Sequence, residues 1–240
     1  MFYNIKNFVL DLIFPKFCLG CQKEGTWVCP KCAQEILLVK SQVCPDCGRI
    51  SKFGKYCLKH QKPHGLTGVL VAAYYEEGPL KELIHNFKYN HILEVGDFLG
   101  ELLVEALSNN LTTGQDMIIT AVPLNFWRQS QRGYNQSEVL AKYVANRLNE
   151  NQPETGQPWV ENFKILQKIR KTKPQVLTDS KKRRKNLINA FKISENINLF
   201  KKTIILVDDV TTTGATLNEC AKVLRKAGAR RVWGLVIAKG

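Results

Sequence analysis

Two adjacent carboxylates, Asp208 and Asp209, follow an unbroken apolar run, Ile204–Val207, and precede Val210 and the hydroxyl-rich Thr211–Thr216. Such a run reads as a strand buried on both faces. The polar residues after it read as a tight loop entering a helix, with Gly214 at its centre. Strand side chains alternate between faces, so Asp208 and Asp209 are expected to do different jobs. At the carboxyl end of a parallel strand, this segment can set two acids beside a loop whose hydroxyls and helix-start N–H groups hold phosphate. A metal-bearing phosphorylated sugar suits both features, with a diol for the acids and an anion for the loop. An ordinary capped turn is the competing reading of Asp-Asp alone; the ordered strand–acid–loop pattern favours a ligand. The loop has no Gly-Lys-Ser/Thr and is not a Walker A loop.

A second set of reactive side chains lies near the N-terminus. Seven of the eight cysteines fall between Cys18 and Cys57, in the pairs Cys18/Cys21, Cys29/Cys32 and Cys44/Cys47, with Cys57 followed by His60. The two-residue spacing lets both members of a pair grip one tetrahedral ion. In series they make one set of four cysteines (Cys18, Cys21, Cys29, Cys32) and one set of three cysteines and a histidine (Cys44, Cys47, Cys57, His60). Spacing also permits one zinc with pairs combined differently, or His64 in place of His60. Disulfides fit less well, because no secretion signal precedes the cysteines. Complete ligand sets leave no open position for catalysis, so zinc here is structural. Gly20 and Gly48 suit the tight turns of metal knuckles.

The remaining pattern supplies the elements that must hold the acids. Strands are expected at Gly68–Tyr75, Met117–Val122, Val160–Leu166, the Asp208 strand and Arg231–Ala238. Helices are expected from Pro79 to Phe87 (Leu80, Leu83, Ile84 and Phe87 on one face), over Ile92–Leu107, from Gln136 or Ser137 to Asn149 (Val139, Leu140, Tyr143, Val144 and Leu148 inward), and over Ala215–Lys226 before Gly228. Strands alternating with helices indicate an α/β fold. Two loops are cationic. Pro123 ends one strand, and Arg128, Arg132 and Gly133 follow it; as a unit with the Asp208 loop they suit a pyrophosphate group. From Lys168 to Lys185, nine of eighteen residues are Lys or Arg, either a solvated face or an anion-binding flap. Phe163, Phe191 and Phe200 are expected in the core, and Cys220 as a buried thiol.

The whole chain carries a formal charge of +14 over 240 residues. Two divalent ions on seven thiolates would lower this to about +11, still basic enough to favour anionic partners, nucleic acid first. No apolar run reaches transmembrane length. Residues 2–14 could form a short amphipathic helix, expected to pack on the body, and no stable membrane insertion is expected. The cytoplasm is the expected compartment.

ILVDDVTTTGAT resembles the phosphoribosyl pyrophosphate (PRPP) signature of type I phosphoribosyltransferases. The resemblance implies that Asp208 and Asp209 take the ribose hydroxyls and that Thr211, Thr212, Thr213, Gly214, Ala215 and Thr216 surround the 5′-phosphate. Over nearly the whole chain the arrangement is similar to the ComF/ComFC family of competence-associated proteins with a zinc-ribbon head. VPLNFWRQSQRGYNQS resembles that family's pyrophosphate loop, and the block containing Thr172, Gln175, Arg183 or Arg184, Asn186, Ala190 and Phe191 resembles its second pattern. Lys88-Tyr89 resembles a lysine–aromatic pair that a glycine usually follows; this chain has Asn90. The resemblance implies a type I phosphoribosyltransferase-like parallel sheet (66–240) behind a zinc-ribbon head (1–65). It implies PRPP bound with Mg2+, Lys88 and Gly133 near it, and Arg128 and Arg132 stabilising leaving pyrophosphate. Single-stranded DNA and a competence helicase or uptake-machinery protein are the implied partners. A PRPP- and DNA-binding protein of DNA uptake is the leading expectation, an active phosphoribosyltransferase the second, and an interaction module with a vestigial site the third.

Overall fold

The structure is a computed structural model describing residues 15–61, 65–110, 116–125, 130, 133–150, 160–170, 187–194 and 197–240. Strand β6 (Thr203–Thr211) lies in the middle of a five-stranded sheet. Around it run β1 (Gly68–Tyr74), β2 (Met117–Ala121), β3 (Val160–Glu161) and β7 (Arg231–Lys239), in the order β1-β7-β6-β2-β3. Every pairing is parallel. A short antiparallel pair, β4 (Leu166–Lys168) and β5 (Phe191–Ile193), stands apart. Among the described residues the α-helices are α1 (Pro30–Gln34) in the head, then α2 (Pro79–Tyr89), α3 (Val95–Ser108), α4 (Gln136–Glu150) and α5 (Ala215–Lys226).

The unbroken apolar run of β6 is explained by two cores. Ile205 and Val207 pack with Leu99 and Leu103 of α3 and with Leu140 and Val144 of α4. Ile204 and Leu206 pack with Leu217, Cys220, Ala221 and Leu224 of α5. All four strand residues are fully buried, and each such side chain contributes about 1.5–3 kcal/mol of transfer free energy. Pinned on both faces, the strand has one register available, which fixes where Asp208 and Asp209 emerge.

Topology places that point in a crevice. From β6 the chain turns through α5 to β7; from β2 it turns through α4 to β3 on the other side. The connections leaving the neighbours β2 and β6 thus run in opposite directions, and their carboxyl ends flank a topological switch point, where ligands of open α/β sheets bind.

The head closes the far edge of the sheet. Tyr74 N–H donates to Leu37 O, and Val39 N–H to Ala72 O, both at 2.9 Å. Next along the edge the buried Gln42 amide acts as a strand partner, accepting from Val71 N–H (3.0 Å) and donating to Val71 O (2.9 Å). These bonds occupy an otherwise open strand edge.

Three expectations need correction. The segment from Val160 to Leu166 is not one strand: only 160–161 joins the sheet. Lys164 N–H donates to Asn162 Oδ1 (2.9 Å), a turn that competes with extended backbone, and Leu166 starts β4. Helix α3 begins at Val95, later than the apolar periodicity from Ile92 suggests, because Ile92 and Leu93 spend their carbonyls on a turn to Val95 and Gly96. Val139 and Tyr143 do face inward, packing half-buried on Gly96 and Gly100 of α3, with the Tyr143 hydroxyl reaching Glu101. Phe163 and Phe191 pack as core, but Phe200 is 66% exposed on a turn whose buried position goes to Leu199. Residues 2–14 lie outside the described residues.

Candidate functional site

Strand alternation gives the two acids different partners, as the period of two requires. Asp209 faces the end of α2, where Lys88 Nζ lies 3.0 Å from its Oδ1. Both side chains are sheltered, at 18% and 15% exposure. Burial works against the Lys88 charge, but Asp209 outweighs it and raises the ammonium pKa. Asp208 Oδ1 instead accepts from the Ser137 hydroxyl (2.9 Å) and from Asp209 N–H (3.0 Å). Burial first, and the neighbouring charge of Asp209 second, push the Asp208 carboxyl up to about 7, against the opposing effects of Ser137 and Lys88. One acid is thus paired with a cation, and the other is poised to change charge near neutral pH.

A polar relay ties this pair to the loop after β2. Asn135 Nδ2 donates to Val122 O (3.1 Å), and Asn135 Oδ1 accepts from Ser137 N–H (3.1 Å). Gln136 Nε2 donates to Lys88 O (3.5 Å), and the Tyr134 hydroxyl donates to Phe87 O. Asn135, Gln136 and Ser137 are all buried, so their hydrogen bonds fix the start of α4 against both β2 and α2. In the sequence, Gln136 and Ser137 mark only a helix start. Their service to Asp208 and Lys88 depends on contacts across 71 and 48 residues. The available signal is a cluster of polar residues just where α4 must turn inward.

Beyond Asp209 the strand continues to Thr211, paired with β7, so only residues 212–214 form the turn into α5. Thr211 is buried, Thr212 exposed, and Thr213, Ala215 and Thr216 are half-buried. Gly214 has φ 68°, a left-handed conformation that disfavours other residues, and forms the N-cap of α5 without any side chain capping the helix. The first turn of α5 thus starts beside the threonines and the acids, an arrangement suited to phosphate. Gly133 also has a left-handed φ of 69°. Arg128 and Arg132 lie outside the described residues, as do Thr172, Gln175, Arg183, Arg184, Asn186 and His64; Ala190 and Phe191 are buried. Asn90 caps α2 without a left-handed turn, which falls instead on His91 (φ 56°).

In the head, two ligand sets are each gathered within 4.8 Å: Cys18, Cys21, Cys29 and Cys32, and Cys44, Cys47, Cys57 and His60. Sulfur separations are 3.6 Å for Cys21–Cys29 and 3.8 Å for Cys47–Cys57. These match the roughly 3.8 Å edge of a tetrahedron with zinc–sulfur bonds of about 2.3 Å, and both are far beyond a disulfide bond. His60 presents Nδ1, 3.2 Å from Cys57 Sγ. Burial would raise Cys18 and Cys44, but backbone N–H donors, led by Cys29 and Cys57 respectively, prevail and bring each thiol down to about 6. Thiolate at neutral pH is the form that binds metal. Both sets fit structural zinc, and the pairing is serial. Gly20 lies in the knuckle's turn, closed by Gln22 N–H donating to Cys18 O (2.7 Å), and it also allows a close approach: a Cβ there would lie 2.7 Å from Cys32 Sγ.

The fold and these two sites define a phosphoribosyltransferase-type domain joined to a double zinc ribbon. Residues 100–239 match the phosphoribosyl transferase domain family, and residues 9–60 the double zinc ribbon domain family. Competence protein F of Haemophilus influenzae is 35% identical over 229 residues, spanning 92% of this chain and 90% of that protein. DNA utilization protein YhgH of Escherichia coli K12 is 31% identical over 237 residues, with coverage of 93% and 98%. Competence protein ComFC of Streptococcus pneumoniae is 28% identical over 214 residues, with coverage of 88% and 80%. The chain belongs to the ComF/ComFC family of competence-associated proteins. Among the described residues, no helix is long and apolar enough to cross a membrane.

Proposed function

We propose that this protein binds PRPP with Mg2+ in the crevice between β2 and β6, and binds single-stranded DNA in DNA uptake. The observation that carries the ligand reading is the juxtaposition of Asp208, Asp209 and the Thr211–Thr216 loop at the switch point of the sheet. The two acids would hold the ribose diol and, through it, the metal-bound ligand; the loop and the start of α5 would hold the 5′-phosphate. Mg2+ supplies charge neutralisation for the pyrophosphate. Lys88 balances Asp209, and Ser137 orients Asp208. Arg128, Arg132 and Gly133, which follow β2 in the sequence, are assigned to the pyrophosphate. The division of labour is a metal-stabilised head at 1–65 and the ligand domain at 66–240.

The DNA reading is supported by the +14 formal charge, by the Lys168–Lys185 run and by the names of the relatives. An uptake-machinery partner such as a helicase follows from the same kinship. Turnover is the second reading: Asp208, pushed up to about 7, is a carboxylate that can accept a proton from a nitrogen nucleophile near neutral pH. Calorimetric titration with PRPP and Mg2+ tests the first claim. Binding is expected for the wild type and lost in the double variant Asp208→Ala, Asp209→Ala; equal affinity in both sinks it. Oligonucleotide binding should weaken steeply with salt, and no binding at physiological salt would remove the DNA claim. Pyrophosphate release in an acceptor screen separates turnover from binding alone.

A further inference from the structure

The second metal ribbon is built against the phosphate loop, and the first is not. Lys239, at the end of β7, donates from Nζ to Pro45 O at 2.7 Å, and Pro45 lies between the ligands Cys44 and Cys47. Val43, Pro45, Lys239 and the loop residues 211–214 close around a cavity of about 20 Å3, room for one water-sized group. This is a packed wall rather than another ligand pocket. Tyr56, beside the ligand Cys57, is buried, and its hydroxyl comes within 4.0 Å of a Cβ placed on Gly214. The ribbon is also registered to the sheet, with Gln42 bonded to Val71 on one side of the knuckle and Tyr56 N–H donating to Thr67 O on the other. The Cys18–Cys32 set instead lies toward the start of α2, where a Cβ on Gly20 would meet Pro79 at 3.2 Å.

Hydrogen bonds to the sheet hold this wall at Gln42 and Tyr56, and metal holds the knuckle between them. Within 42–61 only Gln42, Cys44, Gly54 and Tyr56 are buried, too small a core for an independent fold. Without metal, the side chains of Cys44, Cys47, Cys57 and His60 have no ion to gather them, and the knuckle that carries Pro45 beside the loop loosens.

We propose that the second ribbon is the outer wall of the phosphate loop, so that metal at Cys44, Cys47, Cys57 and His60 and a sugar phosphate at Thr211–Thr216 stabilise each other's binding. This rests on the PRPP reading above. Linkage requires the coupling to be reciprocal. Lys239 and Tyr56 are positioning residues that transmit it through Pro45 and Gly214.

The test is a competition titration of the two bound zinc ions against a chromogenic chelator, with and without saturating PRPP and Mg2+. PRPP should tighten zinc about tenfold at one site only. That site should survive in Cys18→Ser and be absent in His60→Ala, whose PRPP affinity should fall about tenfold. Lys239→Met, an exposed position with the ribbon ligands intact, should bind both zinc ions while the coupling shrinks; its circular dichroism spectrum should match the wild type. The proposal is overturned if PRPP binds the wild type yet changes neither zinc affinity, or tightens the Cys18 site instead. If PRPP does not bind the wild type at all, the PRPP reading itself fails and the coupling with it.

Discussion

Replacing Ser137 by alanine removes one hydrogen bond, and its consequence should depend on pH in a calculable way. The Ser137 hydroxyl donates to Asp208 Oδ1 at 2.9 Å and favours the ionised acid, which burial and Asp209 hold at about 7. A bond to a charged acceptor contributes about 1.5–3 kcal/mol, part of which water can restore. A net loss of about 1.4 kcal/mol lifts the carboxyl by about one unit, to roughly 8. If the ribose diol needs the carboxylate, apparent Kd for PRPP scales as one plus the ratio of protonated to ionised acid. At pH 7 that factor is about 2 for the wild type and about 11 for Ser137→Ala, a fivefold difference; at pH 9 the two differ by only about a tenth. PRPP and Mg2+ have their own pH dependence, but it cancels in the ratio of the two proteins. Calorimetry at pH 6 to 9 reads this ratio directly. A ratio constant across that range would refute the argument, since Ser137 would then act only on packing. Folding stability carries a matching sign: the folded pKa of Asp208 is raised above the ordinary carboxyl value of about 4, so its contribution is fully present below about pH 4 and is lost as pH rises through about 7.

Other consequences follow from the same contacts. Lys88→Met leaves Asp209 sheltered beside Asp208 without its cation; it should cost about 1–3 kcal/mol, visible as a lower urea midpoint at neutral pH. Gln42→Ala strands both the N–H and the carbonyl of Val71 at the sheet edge and should cost about 2 kcal/mol, lowering Tm by about 4–8 °C in a chain of this size. Elemental analysis of the purified protein should find two zinc ions per chain, and Cys18→Ser should retain one; an unchanged count would mean that Cys18 is not a required ligand, and loss of both that the two sets do not bind independently.

Much of this architecture is readable from local pattern. The β6 run, the Asp-Asp pair, the hydroxyl-rich loop and the helix after Gly214 occupy one continuous stretch, and each rests on short-range chemistry: strand alternation, backbone freedom at a left-handed residue, and the orphan N–H groups of a helix start. The cysteine pairs are equally local, because two ligands on one knuckle must be closely and regularly spaced. Where local signals compete, the reading fails. Val160–Leu166 is apolar enough for a strand, yet the Asn162 turn divides it. Phe200 has a core composition and an exposed place, because Leu199 beside it takes the buried position.

Tertiary structure decided everything that depends on distant segments meeting. The sequence determines that two acids end a buried strand, but only the order β1-β7-β6-β2-β3 sets that end beside the carboxyl end of β2 and makes a crevice. That Asp209 meets Lys88 and Asp208 meets Ser137 follows from how α2 and α4 pack, which no spacing within the motif encodes. Likewise, the sequence determines two metal sets, whereas only the packed head shows that one of them lies against the phosphate loop through Pro45 and Lys239. The physical reason is common to all three: bond geometry and strand or helix period act over a few residues, while burial, charge pairing and the shift of a carboxyl are set by whatever the folded chain brings within a few ångströms.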